Sequence, residues 1–178
     1  NIWFGTDKSR IYYSSAGSPP WVQQVTGANI NVYSIWLNSP NPLTGFASGD
    51  SISKTTNSGI NWQLMPSIGT GPITGVTGIN STTNYWYTRS NTNIYFFNAG
   101  SPFVIQYTAP AGNFNHLASA RNGFIGGPGV IYAVRTNGGI SRLNFFVEGV
   151  IIISNEIPAS YKLHQNYPNP FNAQTIFK

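Results

Sequence analysis

The chain holds four carboxylates, Asp7, Asp50, Glu148 and Glu156, and two histidines, His116 and His164. Their spacing decides what chemistry is open. A metal site gathers three or four His, Cys, Asp or Glu ligands, whereas these six are scattered and no cysteine joins them. A Ser-His-Asp relay finds only His116 as a base and no nucleophile elbow around any serine. His116 reads instead as a satisfied polar residue on an innermost strand. Hydrolysis of a glycosidic bond asks for a paired acid and base, and no pair stands out. No metal and no cofactor is expected, and the chain reads as non-enzymatic.

The charge balance narrows the partners. Only 7% of the 178 residues are charged, against roughly 25% in an average soluble protein. The net charge of +5 comes from nine basic residues facing four acids, so it reflects missing acids. No Lys/Arg run exists to track phosphates, which excludes nucleic acid as the expected partner. The longest apolar run near the end, "GVIII", is too short to span a bilayer. Aromatic residues at 15% and hydrophobic residues at 40% can bury a core, so disorder is not expected. With no cysteine there is no disulfide framework.

The elements that position these residues repeat. The stretches "WFGTDKSRIYYSSAGSPPW", "GFASGDSISKTTNSGINW", "YWYTRSNTNIYFFNAGSPFV" and "IYAVRTNGGISRL" align on Ile11, Ile52, Ile94 and Ile140, which lie 41, 42 and 46 residues apart. In the first three units a large apolar residue follows ten later, at Trp21, Trp62 and Val104. Upstream strands recur from Ile30, Ile73 and Phe114. Short β-branched and aromatic runs between Gly/Asn/Pro turns at this period give an all-β chain of four-stranded antiparallel propeller blades. One complete unit is expected as strands over 30–37, 45–48, 52–56 and 62–65. Residues 1–153 form blades, the first lacking its innermost strand, so further blades are expected upstream. A β-sandwich with accidental spacing is the other reading.

The stretch "TTNSGINW" resembles the Asp-box of sialidase-type propellers and their photosystem-assembly-factor-like and sortilin-like relatives, with Thr55, Asn57, Gly59 and Trp62 on the motif positions. Asn57 stands where the motif has aspartate. Asn57 can close an Asx-turn, Gly59 can take positive φ, and Trp62 can staple the turn to the next strand, buried against it. The motif is structural. A sialidase-like site would add three arginines around a carboxylate, and this chain offers the equivalent pair Arg89 and Arg135, with Thr6 and Ala47 in the other units. A glycoside hydrolase with most catalytic residues upstream is therefore the alternative to a binding or adhesion module, and a structural spacer is a third.

The end of the chain reads as an address. After a linker over 154–162, residues 163–178 resemble the opening of the type A sorting domain of type IX secretion substrates. Leu163, Gln165, Asn166, Tyr167, Pro168, Asn169, Pro170, Phe171 and Asn172 carry the match, followed by Thr175 and Ile176. Ala173 departs where the family usually has proline. The resemblance implies export by the type IX machinery to the outside or the outer-membrane surface of a Gram-negative bacterium. Asp50-Ser51-Ile52 resembles the O-glycosylation motif of such bacteria, with Ser51 as acceptor.

The turns joining second to third strands hold Asp7, Lys8, Arg10, Asp50, Arg89 and Arg135, while the Asp-box turns carry almost no charge. That asymmetry marks a ligand-facing surface of Asp7, Arg10, Asp50, Arg89 and Arg135, suited to an acidic surface glycan or a protein carboxylate through the arginine pair.

Overall fold

The computed structural model describes residues 1–26, 31–38, 43–80, 82–98, 101–120 and 129–145. Among them run fourteen strands: β1 (Ile2–Gly5), β2 (Arg10–Ser14), β3 (Val22–Val25), β4 (Val32–Leu37), β5 (Gly45–Gly49), β6 (Ile52–Thr55), β7 (Gln63–Met65), β8 (Ile73–Gly78), β9 (Asn84–Arg89), β10 (Asn93–Asn98), β11 (Val104–Thr108), β12 (Phe114–Ala120), β13 (Gly129–Arg135) and β14 (Ile140–Phe145). They form four antiparallel sheets, each in chain order: β1-β2-β3, β4 to β7, β8 to β11, and β12-β13-β14. Among the described residues the first sheet has three strands, with none on the far side of β1. The two middle sheets are complete. The four strands expected over 30–65 are found within a residue or two of their expected bounds.

These residues all fall in the unit Asn1–Glu148. The linker over 154–162 and the whole phrase Leu163–Asn172 lie outside the described residues.

Alternation along the strands builds the core. In the third sheet, Tyr85, Tyr87, Tyr95 and Phe97 point to one face and pack with Phe46, Ile52 and Trp36 of the second sheet. On the other face Trp86, Ile94 and Phe96 pack with Phe114, Leu117 and Ile131 of the fourth. The third sheet is thus sandwiched between its neighbours, and the period of two fixes which residue serves which interface.

The repeat is written into the hydrogen bonds between sheets. Ser34 Oγ meets the backbone of Val76, Thr77 Oγ1 meets Ser119 Oγ at 3.0 Å, and Thr74 Oγ1 donates to Phe114 O at 3.2 Å. These partners sit 40 to 42 residues apart, one repeat. Small hydroxyls let innermost strands approach closely while satisfying buried polar groups. Gly5 makes the same allowance in the first sheet, since a Cβ there would enter the Val32 side chain.

Register corrects one sequence alignment. Trp21 precedes Val22, whose partner is Tyr13, and the same position in the third sheet is held by Phe103, not Val104. A bulge between Ile94 and Tyr95 consumes the extra residue. The packing agrees: Trp21 lies edge-on to Phe4 at 5.1 Å, and Phe103 packs against Phe97 at 5.1 Å.

Candidate functional site

The β6–β7 turn is built as its residues dictate. Thr55 Oγ1 accepts from the Gly59 amide at 2.8 Å and the Asn57 amide at 3.3 Å, and it donates to Asn57 Oδ1. Asn57 Oδ1 also accepts from the Asn61 amide at 2.9 Å. Ser58 and Gly59 take φ of 59° and 85°, the left-handed region where glycine costs nothing. The Gln24 amide of the first sheet reaches over to Ser58 O, so the turn also seats the neighbouring sheet. Trp62 differs from expectation. It is only half-buried, and its indole N–H is enclosed without a partner among the described residues. The turn is held by Thr55 and Asn57 instead.

The arginine pair is placed differently from the surface expected of it. Arg89 is 5% exposed. Its Nε donates to Ile68 O at 2.8 Å, Nη2 to Ser67 Oγ at 2.8 Å, and Nη1 to Gly71 O. The Tyr87 hydroxyl both accepts from the Ile68 amide and donates to its carbonyl. Together they pin the loop that carries the chain from β7 to β8. Burial raises the Tyr87 phenol above its ordinary pKa, partly offset by the Ile68 hydrogen bond and the Arg89 charge. Arg135 is half-buried and repeats the design one sheet later: its Nη1 donates to Ala111 O at 2.7 Å in the β11–β12 loop. The pair is equivalent, but as fasteners of sheet-to-sheet loops. Register also replaces Ala47 by Gly49 as their counterpart, because Gly49, Arg89 and Arg135 pair with Val32, Ile73 and Phe114.

Asp7 and Asp50 do come together. Asp7 forms a backbone bridge with Asn31, and Asp50 Oδ2 accepts from the Asn31 amide at 3.3 Å. Both are exposed, as is Arg10. Lys8 and Ser9 beside them adopt φ of 65° and 61°, a tight turn without glycine. Ser51 is half-buried in the β5–β6 turn, and its carbonyl accepts from the Gly49 amide.

A second set of residues was not singled out by sequence. Each innermost strand carries a bulge one residue after its start, between Val32 and Ser34, Ile73 and Gly75, and Phe114 and His116. The extra residues are Tyr33, Thr74 and Asn115. Bulges re-aim side chains, and here Tyr33 and Asn115 are exposed, with His116 exposed beside Asn115. Thr74 is turned inward and shares a hydrogen bond with Thr88 at 3.0 Å. The His116 Nδ1 lies 3.4 Å from Thr74 O, which sets the fourth sheet's bulge against the third's. These bulges stand at the strand ends that also carry the Asp7 and Asp50 turns, and Asn31 joins the two groups directly. The arrangement offers an aromatic face, amides, an imidazole and two carboxylates on one rim. The sequence shows the recurrence of Val32, Ile73 and Phe114 every 41 positions, but not the bulge that follows each of them.

The chain matches no protein-family model and no curated protein. Among solved structures it is similar to an ancestral GH74 enzyme, with TM-score 0.65 and 17% identity over 80% of this chain and 21% of that one. It is similar to the WD40 repeats of RRP9, with TM-score 0.62 and 12% identity over 82% of this chain and 47% of that one. It is also similar to YCF48 bound to D1 peptide, with TM-score 0.59 and 15% identity over 79% of this chain and 45% of that one. The chain thus spans between about a fifth and about half of these proteins. Such identities speak for fold alone: the four sheets are blades of a β-propeller.

Proposed function

We propose that this chain is a non-enzymatic binding module, and that its ligand is taken on the rim formed by Tyr33, Asn115, His116, Asp7 and Asp50. One observation carries the reading: three successive innermost strands are bulged at the same position, and two of the three extra side chains are exposed. An exposed tyrosine with amides and an imidazole suits a sugar face or an extended peptide, through stacking and neutral hydrogen bonds. The likeness to a propeller solved with a bound peptide favours the peptide. The β6–β7 turn serves as the structural Asp-box, with Asn57 accepting as the aspartate would. Residues 163–178 act as the address for type IX export, which makes the module secreted or surface-bound, and Ser51 is its candidate O-glycan acceptor.

The test is binding of the intact chain to peptide and glycan arrays, followed by titration of the strongest hit. Tyr33→Ala and His116→Ala are each expected to weaken that hit at least tenfold with the melting temperature unchanged. If both variants bind as the parent does, the rim is not the site. Deleting 158–178 is expected to abolish export in a type IX-competent host, and continued export would remove the address.

The likeness to two GH74 enzymes favours a second reading, a glycoside hydrolase. Release of soluble products from a glycan hit, lost in Asp7→Asn or Asp50→Asn, would install it in place of the first.

A further inference from the structure

The β13–β14 turn places Asn137 directly before a glycine and holds its side chain in a defined way. The Arg135 amide donates to Gly139 O at 2.9 Å and the Gly138 amide to Arg135 O at 3.1 Å, with Gly138 at φ 79°. This is a three-residue hairpin loop closed by a glycine bulge. Asn137 Oδ1 accepts from the Gly139 amide at 3.1 Å, while Nδ2 donates to Ala111 O at 3.4 Å. Both Asn137 and Gly138 are exposed, and nothing among the described residues lies within 4 Å of a Cβ built on Gly138. The turn thus polarises the Asn137 amide and leaves the following nitrogen uncrowded.

We propose that Asn137 is a self-modification site, cyclising onto Gly138 and opening to an acid that pairs with Arg135. The Gly138 nitrogen attacks Asn137 Cγ and forms the new N–C bond of a five-membered succinimide, its proton passing to solvent. The Cγ–Nδ2 bond breaks and ammonia leaves. Water then adds to either ring carbonyl, giving aspartate or isoaspartate, so one water is consumed for each ammonia released. The Gly139 N–H points at the oxygen that takes up negative charge in the attack, the arrangement that stabilises a tetrahedral intermediate. Covalent attachment supplies proximity, and glycine lets the backbone turn as the ring closes. The third sheet carries a comparison. Asn91 Oδ1 accepts from the Asn93 amide at 2.8 Å in the same way, but the next residue is the half-buried, β-branched Thr92, and Asn91 Nδ2 is spent on the Tyr95 hydroxyl at 3.0 Å. The product also has a partner at hand. Arg135 Nη1 and Asn137 Nδ2 converge on Ala111 O, the guanidinium lies over Gly139, and Arg135 Nε is enclosed without a partner among the described residues.

The experiment ages the full chain at mildly alkaline pH, folded and in urea, beside an unaged control, and follows tryptic peptides by mass spectrometry. Cleavage after Arg135 and Arg142 isolates Asn137 from the other Asn-Gly pair, Asn122-Gly123. Peptide 136–142 is expected to gain the mass difference between amide and acid, split between aspartate and isoaspartate. The folded rate is expected within about threefold of the urea rate, with Asn91 unchanged and Asn137→Gln silent. A folded rate more than about tenfold below the urea rate overturns the proposal, because the turn then protects the amide. Equal conversion at Asn91 overturns it as well. Asn137→Asp is expected to melt no lower than the parent, and to lose that tolerance in an Arg135→Ala background. A lower melting temperature with Arg135 intact overturns the pairing.

Discussion

The two middle sheets and the two end sheets are built from the same repeat, yet they use it differently. Tyr85, Tyr87, Tyr95 and Phe97 in the third sheet are all buried, while the matching positions of the first sheet keep Phe4 open to solvent. Nothing in the local sequence marks the difference: both sheets pair runs of aromatic residues, Trp3-Phe4 with Tyr12-Tyr13 and Tyr85-Trp86-Tyr87 with Tyr95-Phe96-Phe97, in the same register. The difference lies in the neighbour. An apolar side chain on a blade contributes stability only when the next blade removes it from water, so the energetic unit of this fold is the junction between sheets.

The largest expected effect follows directly. Tyr87→Ala should destabilise the chain by about 3–5 kcal/mol, the range for emptying an aromatic core position. Phe4→Ala should cost under about 1 kcal/mol in dilute solution, since its surroundings are already wet. Urea denaturation of both variants measures the gap, and equal losses would mean that the first sheet is covered after all. The arginine fasteners come next. Arg89→Ala strands the Ile68 and Gly71 carbonyls and should cost about 2–3 kcal/mol, whereas half-buried Arg135→Ala should cost about 1 kcal/mol. An Arg89→Ala chain that melts like its parent but loses ligand would return that residue to the binding surface.

Alkaline titration probes the same junction with a smaller effect. Burial raises the phenols of Tyr85 and Tyr87, so the unfolded chain loses these protons first as pH rises. Stability from these groups is complete below about pH 10 and falls as pH climbs through their raised folded values. Thermal melts between pH 8 and pH 11 should show the decline, and Tyr87→Phe should flatten it. The smallest effect is a gain. Ser48 Oγ is buried at the second-to-third junction without a hydrogen-bond partner among the described residues, so Ser48→Ala should raise stability by up to about 1 kcal/mol in the same melts.

Much of this was legible in the residues. The isoleucines at 52, 94 and 140 located the third strand of the second, third and fourth sheets, and Ile11 its equivalent β2 in the first, because strand alternation and turn chemistry are local and recur with the period. The Thr55-Asn57-Gly59 turn followed for the same reason: its hydrogen bonds close within a few residues. Long-range placement was less accessible. Arg89 and Arg135 were correctly paired as equivalents, but charge on a turn looks alike whether the guanidinium meets solvent or a loop some twenty residues away. The rim residues Tyr33 and Asn115 escaped notice because a bulge is a property of two strands paired, and one strand's sequence does not display it.

The amino-acid sequence by itself determined the fold class, the repeat, the order of strands and the turn at Asn57, since each depends on neighbours within hydrogen-bonding reach along the chain. Only the tertiary structure decided that Ile140 is bare where Ile52 is buried, that Arg89 fastens a loop, and that Asp7 and Asp50 meet at Asn31. Those outcomes depend on which sheet packs on which, and burial is conferred by a partner lying one repeat away.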